Sequence, residues 1–130
     1  MNSIRVVLDS SAILAVIHQE PGWEKLPRTL LETAAVSTVN LAEVQSKLVI
    51  NGWHPEDAWQ DATAVVREVF AFTAEHAKAA GTLISQTRTS GLSLGDRSCL
   101  ALALELNAPV YTADRSWKNL KLTVAIHVIR

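Results

Sequence analysis

The sequence has little of several features that would narrow its function at once. It has one cysteine, Cys99, so no internal disulfide can form, and its apolar neighbours predict a buried structural thiol. The formal net charge is −1, so any nucleic-acid binding must come from a local patch rather than from a globally basic chain. No uninterrupted apolar run reaches about 18 residues, and no basic leader precedes one. We therefore expect a soluble, cytoplasmic protein without membrane attachment.

Several catalytic motifs are missing as well. The four histidines show no paired spacing of the HExxH kind, which argues against a zinc site. No GxxxxGK[ST] phosphate loop is present. A haloacid-dehalogenase phosphatase would need an acid at position 11, where this chain has Ser11, and a receiver domain would need a second acid beside Asp9. These absences remove the common alternative classes of α/β phosphate enzyme.

The residues that are present predict a parallel α/β fold. At 130 residues and 48% hydrophobic content, the chain suits one domain, residues 1–130, with a real core. Predicted strands alternate with predicted helices, as in a parallel sheet. The predicted strands are 5–8, 34–37, 69–72, 109–112 and 122–129. The predicted helices are 12–18, capped by Ser10 or Ser11, then 23–33, 38–50, one beginning at 55, 73–87 and 93–106.

Four acidic residues stand where predicted strands give way to helices or turns: Asp9, Glu43, Asp96 and Asp114. Ligands of parallel α/β sheets bind in the crevice outside the carboxyl ends of the strands. Carboxylates that converge there repel one another unless a cation neutralises them, and hard oxygen ligands suit Mg²⁺ or Mn²⁺. The pattern therefore indicates metal-assisted chemistry on a phosphate ester.

Each acid also has a purely structural interpretation. Asp9 can cap the first helix. Glu43 and Asp96 each lie three residues after a potential capping residue, Asn40 and Ser93, which is the spacing of a capping box. The acid after the fourth strand can close a turn. Capping and metal binding are compatible, because helix N-termini favour anions, so both interpretations stay open.

Four segments resemble the acidic motifs of PIN domains in their order and spacing: VLDSSA at 7–12, STVNLAEV at 37–44, LSLGDRSCLA at 92–101 and APVYTADR at 108–115. The similarity extends along essentially the whole chain, and the length is that of stand-alone PIN toxins of VapC type. The resemblance implies a PIN-like three-layer α/β/α fold, with a mostly parallel central sheet flanked by helices. It also implies a Mg²⁺-dependent endoribonuclease that is the toxin of a type II toxin–antitoxin system, bound by a cognate antitoxin and commonly a homodimer.

Under this hypothesis the four acids have two roles, metal binding and activation of water. Asp9, Asp96 and Asp114 bind one or two Mg²⁺ or Mn²⁺ ions, directly or through water. Glu43 completes the cluster and orients or deprotonates the water that attacks an RNA phosphodiester. The alternative is a catalytically silent PIN-like module that binds a protein partner. The presence of all four acids argues against that alternative without excluding it.

Neighbouring residues suggest how the acids and the RNA are held. Three polar residues can hydrogen-bond the ligating carboxylates, with helix capping as the alternative: Ser10, Asn40 and Thr112. Four basic residues close to the acids in sequence can contact RNA phosphates: Arg97, Arg115, Lys118 and Lys47. Trp117 can stack on a base or be partly buried. Trp23, Trp53 and Trp59 serve helix packing, or a dimer or antitoxin groove.

Overall fold

A computed structural model describes residues 3–130 and contains, within that range, a five-stranded sheet. The strands are β1 (Val6–Leu8), β2 (Ala34–Ser37), β3 (Glu68–Phe70), β4 (Val110–Thr112) and β5 (Ile126–Val128). They lie in the order β3-β2-β1-β4-β5, and every pairing is parallel. The polypeptide therefore crosses over between successive strands, and all the carboxyl ends of the strands meet at one edge.

Helices connect the strands on both faces of the sheet. They are α1 (Ser10–His18), α2 (Arg28–Leu31), α3 (Thr38–Ile50), α4 (Pro55–Val65), α5 (Ala74–Thr82), α6 (Ile84–Thr87) and α7 (Leu94–Leu106). Short 3₁₀ segments occupy Trp23–Lys25, Arg88–Ser90 and Arg115–Asn119. Within residues 3–130, none of these helices is long and apolar enough to cross a membrane.

The sheet separates two apolar clusters, because successive side chains of a strand point to opposite faces. On one face Leu8 and Val36 pack with residues of α1, α3 and α4, such as Leu41. On the other face Val7 and Val110 pack against residues of α7. Cys99 belongs to this second cluster and is fully buried, as its apolar neighbours predict. The predicted three-layer α/β/α fold is thereby confirmed.

The main departure from the predicted elements is at residues 23–33. A single helix was expected there, but the chain forms the 3₁₀ segment Trp23–Lys25 and then α2. Leu26, which precedes Pro27, adopts φ −114° and ψ 67°, outside the helical region. A residue before proline is sterically pushed out of the α conformation, so the helix is interrupted at this point.

Smaller differences occur at the ends of elements. Asp9 caps α1 through its side chain, so the predicted cap by Asp9 is confirmed and the predicted cap by Ser10 or Ser11 is wrong. The predicted helix 73–87 divides at Leu83 into α5 and α6. The last strand is shorter than predicted, with sheet pairing only over Ile126–Val128. The β-branched composition of 122–129 favours an extended backbone, but pairing with β4 decides where the strand lies.

Candidate active site

The four predicted acids, from four distant segments, line one cavity at the carboxyl edge of the sheet. Its volume is about 230 Å³, and we call it the acidic cavity. The lining residues are Asp9, Ser10, Ser11, Leu14, Glu43, Lys47, Asp96 and Asp114. Asp9 follows β1, Asp114 follows β4, and Glu43 and Asp96 lie on α3 and α7. The sequence argument that parallel strand ends would gather these acids agrees with this arrangement.

Asp9 is the most tightly held of the acids. Its Oδ1 accepts hydrogen bonds from the Ala12 N–H and the Ser11 hydroxyl, both at 2.8 Å. Its Oδ2 accepts one from the Thr112 hydroxyl at 2.5 Å. The side chain is thus tethered to α1 and to β4 at once. Asp9 is only 4% exposed, and these bonds satisfy its buried carboxylate.

Hydrogen bonds among residues of α1, α3 and α7 position Glu43. Its Oε1 accepts hydrogen bonds from the Ser10 hydroxyl at 2.5 Å and from Asn40 Nδ2 at 3.0 Å. Asn40 Nδ2 also donates to the Gly95 carbonyl at 3.0 Å, which joins α3 to α7. Ser37, rather than an Asn40–Glu43 capping box, caps α3. Glu43 therefore serves the cavity rather than the helix end.

Asp96 and Asp114 are each held by one oxygen. Asp96 Oδ2 accepts from the Ser93 N–H at 3.0 Å, and the Ser93 hydroxyl accepts from the Asp96 N–H, so the predicted capping box is confirmed. Asp114 Oδ1 accepts from the N–H and the hydroxyl of Ser116. Within residues 3–130, the second oxygen of each carboxylate has no hydrogen-bond donor and remains able to bind an ion.

The cluster is electrostatically unfavourable in its ionised form. Burial raises the pKa of Asp9 to about 6, although its hydrogen bonds oppose that rise and Asp96 adds repulsion to it. Burial also raises the pKa of Asp96, and the charges of Glu43 and Asp114 reinforce this effect. The exposed Lys47 is the cation that lines the cavity. A further positive charge in this cavity would relieve the repulsion.

A divalent cation fits the donor set. As the side chains are oriented, no three His, Cys, Asp or Glu residues within 3–130 converge closely enough to hold a metal ion. Nevertheless, Glu43, Asp96 and Asp114 each keep one oxygen that no donor in the described chain contacts. Hard oxygen donors with unrelieved negative charge are what Mg²⁺ and Mn²⁺ select. Asp114 is exposed and Glu43 and Asp96 are half-buried, so none of the three carboxylates is sealed from an incoming ion.

The three polar residues predicted to support the acids all touch them. Ser10 and Asn40 bond Glu43, and Thr112 bonds Asp9. The sequence argument gave Ser11 only a capping role, whereas its hydroxyl donates to Asp9 and accepts from the Ala113 N–H at 2.9 Å. The sequence signal that could have predicted this contact of Ser11 is its position two residues after Asp9, the acid that follows β1.

The predicted RNA contacts agree less well with the structure. Arg97 is held away from the acidic cavity, because its Nη1 donates to the Ala80 carbonyl of α5 at 2.8 Å. Arg97 is therefore outside the lining of the acidic cavity, and an RNA contact by this residue stays a prediction. Arg115 is exposed, and its Nε donates to the Arg130 carbonyl. Lys118 lines a different cavity. Trp117 is fully buried, so the idea that it stacks on a base is wrong.

Gly95 makes room for the Glu43 carboxylate, which leads to a testable prediction. A Cβ at position 95 would lie 2.7 Å from Cδ of Glu43 and overlap its carboxylate. We expect Gly95→Ala to displace that carboxylate from Ser10 and Asn40 and to lower any phosphodiesterase activity about tenfold or more. The matched control is Gly81→Ala in α5, where no atom of the described residues outside the neighbouring helix backbone lies within 4 Å of the added carbon.

The two variants are compared by urea unfolding and by RNA cleavage. Gly81→Ala should gain about 0.5–1 kcal/mol of stability, as alanine does over glycine in a helix, without a change in cleavage. Gly95→Ala should increase the free energy of unfolding by less than Gly81→Ala does, because the added carbon displaces Glu43. Equal stability gains and equal cleavage in the two variants would contradict the proposed packing of Gly95 against Glu43.

The raised pKa of Asp9 predicts a pH-dependent stability. The ordinary pKa of 3.8 applies to the unfolded chain and the value of about 6 to the folded one, so the free energy of unfolding falls as pH rises through this window. A shift of this size corresponds to about 3 kcal/mol. In EDTA, Asp9→Asn should therefore be up to about 3 kcal/mol more stable than wild type near neutral pH, and similar near pH ~4. Urea unfolding at both pH values measures this, and a pH-independent difference would argue against it.

Comparisons with known proteins were made on the sequence and on the fold. A family model of the PIN domain matches residues 6–122. No curated protein matches the sequence. One similar solved structure is VapBC2 from Rickettsia felis bound to a DNA fragment of its promoter, with a TM-score of 0.73, 20% identity, and coverage of 98% of this chain and 100% of that chain. Another is DNA-bound VapBC from Salmonella typhimurium, with a TM-score of 0.74, 13% identity, and coverage of 98% and 99%. A third is VapC20 of Mycobacterium tuberculosis, described as a toxin that cleaves the sarcin–ricin loop (0.72, 19%, 92% and 98%).

Proposed function

This chain belongs to the PIN-domain family, and from that membership we propose that it is a metal-dependent endoribonuclease. The observation that carries the proposal is the acidic cavity, to which four distant segments of the chain contribute Asp9, Glu43, Asp96 and Asp114. Phosphodiester hydrolysis needs a site that binds a divalent cation and orients water. The cavity offers oxygen ligands for the first purpose and a fixed carboxylate for the second.

In the proposed mechanism Asp9, Asp96 and Asp114 would hold one or two Mg²⁺ or Mn²⁺ ions. A cation bound there would supply positive charge to the phosphoryl group and lower the pKa of water. Glu43 would accept the proton of the attacking water on Oε2, while Ser10 and Asn40 fix the carboxylate through Oε1. As the water oxygen bonds to phosphorus, the bond from phosphorus to the leaving ribose oxygen breaks, and that oxygen takes up a proton from solvent.

Two further residues complete this mechanism. Thr112 keeps Asp9 in place through its hydrogen bond to Oδ2. Lys47 lies one turn after Glu43 and forms no ion pair within residues 3–130. Its ammonium is therefore available to a substrate phosphate, and Lys47 is the basic residue that the cavity itself presents.

We further propose that the chain is the toxin of a type II toxin–antitoxin pair. VapBC complexes are among the solved structures that it resembles, although these likenesses support the fold rather than the partner. A second cavity of about 680 Å³, lined by Val16, Trp23, Leu26, Leu31 and Val65 among others, offers an apolar surface to an amphipathic helix of an antitoxin. Ile50, 83% exposed, and Val49 offer apolar surface for a homodimer.

The experiment that tests the enzymatic proposal is cleavage of total cellular RNA by purified protein freed of any partner. Reactions contain Mg²⁺, Mn²⁺ or EDTA, and product ends are mapped. Discrete products with either metal and none in EDTA are expected. If well-folded protein gives no products from any RNA class yet retains tight binding to a protein partner, the proposal fails and the silent binding module replaces it.

A further inference from the structure

A cavity of the opposite charge lies on the other side of β4 from the acidic one. It has a volume of about 440 Å³, and we call it the ring cavity because two aromatic rings line it. Its side chains of interest are Lys25, Tyr111, Lys118 and His127, and among residues 3–130 no acidic residue lines it. Neither lysine forms an ion pair within residues 3–130, so both charges are available to a ligand.

The two rings form a stacked pair. Tyr111 of β4 and His127 of β5 are directly opposite each other in the parallel register. Their ring centroids are 4.7 Å apart, with an interplanar angle of 29°. Tyr111 is half-buried against the core, whereas His127 is exposed. The pair therefore has one sheltered ring and one ring whose outer face is open to a planar group.

The wall that carries Lys25 is built by close backbone packing. Gly22, with φ +94°, lies so near the Ile129 carbonyl that no side chain would fit there. Arg130 fastens the same junction, since its Nη1 donates to the Pro21 carbonyl at 3.2 Å and pairs with Glu20 at 3.3 Å. These contacts hold the segment Trp23–Lys25 beside β5. The ring cavity is thus a fixed feature of the fold.

The ring cavity adjoins the acidic cavity through a single strand. Tyr111 immediately precedes Thr112, whose hydroxyl holds Asp9. The carbonyl of Tyr111 also accepts a hydrogen bond from the Asp9 N–H at 3.3 Å. The two cavities, which have no lining residue in common among residues 3–130, are therefore linked through β4.

We propose that the ring cavity binds one unpaired nucleotide of the RNA substrate, an inference that rests on the proposed function. The base stacks on the outer face of His127, which Tyr111 backs, and Lys25 and Lys118 contact the flanking phosphates. Unpaired bases are read by stacking on aromatic side chains, and lysines track the backbone. A duplex cannot offer such a base, so the ring cavity selects looped or single-stranded RNA.

The test is equilibrium binding of fluorescein-labelled single-stranded RNA in EDTA, where metal-dependent cleavage is off. Lys25→Ala combined with Lys118→Ala should weaken binding about tenfold or more. The slope of log K against log salt, which is negative, should become less steep by ~1.4, the value for the loss of two phosphate contacts. The matched control is Lys78→Ala combined with Lys121→Ala. These lysines are also exposed but line a separate cavity beside α5, so their loss should change neither quantity by a comparable amount.

The stacking contact is tested separately. His127→Ala should weaken single-strand binding about tenfold, and His127→Phe should restore it. The affinity for duplex RNA of the same sequence should be the same in the wild type and in both variants. His127 is exposed on a sheet edge, so folding should survive these substitutions. If the wild type cleaves RNA while all ring-cavity variants bind like wild type, this inference fails alone. If the wild type neither binds nor cleaves RNA, the proposed function fails and the inference with it.

Discussion

Asp96→Asn is expected to lower the rate of RNA cleavage by about a thousandfold or more, which corresponds to ~4 kcal/mol of activation free energy. Asp96 lines the acidic cavity and keeps one oxygen without a donor in the described chain. The amide removes the negative charge that would bind a divalent cation. Its oxygen can still accept the hydrogen bond from the Ser93 N–H, so the cap of α7 is preserved.

This variant separates chemistry from folding because its structural role survives. The matched control is Asp57→Asn, which neutralises an exposed acid in the first turn of α4, remote from the acidic cavity. Initial rates on a defined RNA in Mg²⁺ and the midpoints of urea unfolding are measured for both variants. Asp57→Asn should cleave at the wild-type rate. An Asp96→Asn protein that unfolds normally and retains more than about a tenth of the wild-type rate would remove Asp96 from the mechanism.

The largest expected effect on stability is that of Trp117→Ala, which should cost about 3–5 kcal/mol. Trp117 is fully buried in the cluster beneath α7, and its removal leaves a cavity that the rigid sheet cannot fill. Domains of this kind have a total stability of about 5–15 kcal/mol, so this loss is a large part of it. The measurement is urea unfolding followed by far-UV circular dichroism.

The matched control is Trp59→Ala, since Trp59 is 47% exposed on α4. Its truncation should change stability by about 0.5 kcal/mol or less. Trp117→Phe should cost less than Trp117→Ala, because it keeps an aromatic ring and removes an indole N–H that has no acceptor in the described part of the chain. Similar losses for the two alanine variants would contradict the burial of Trp117.

Elements with consistent local signals were predicted almost to the residue. β2 and α3 match because an apolar run is followed at once by Ser37, whose hydroxyl caps the helix. The 3₁₀ segment Arg115–Asn119 has the polar composition of a turn, but it buries Trp117 between exposed neighbours. Composition described that turn correctly as a whole and could not identify the one side chain that points inward.

The acids of the site were predictable because their positions follow from topology. Parallel strands place their carboxyl ends together, so Asp9 and Asp114, which follow β1 and β4, can be assigned to a common cleft before any distance is known. Glu43 and Asp96 lie in the first half of α3 and of α7, and the same cleft gathers them. The roles of Ser11 and Gly95 were not predictable in this way. Ser11 matters through its contacts with β4, and Gly95 through its closeness to Glu43. Both depend on distances between distant segments, which local sequence does not encode.

The parallel pairing of β1 with β4 also has a consequence for biosynthesis. β1 lies between β2 and β4, so Val7 pairs with Val110, and Thr112 reaches back to Asp9 across 103 residues of chain. During translation, Asp9 and Glu43 leave the ribosome long before Asp114 is made. The acidic cavity is consequently completed only when most of the sequence has been synthesised, so the cleavage that we propose would be absent from the nascent chain until then.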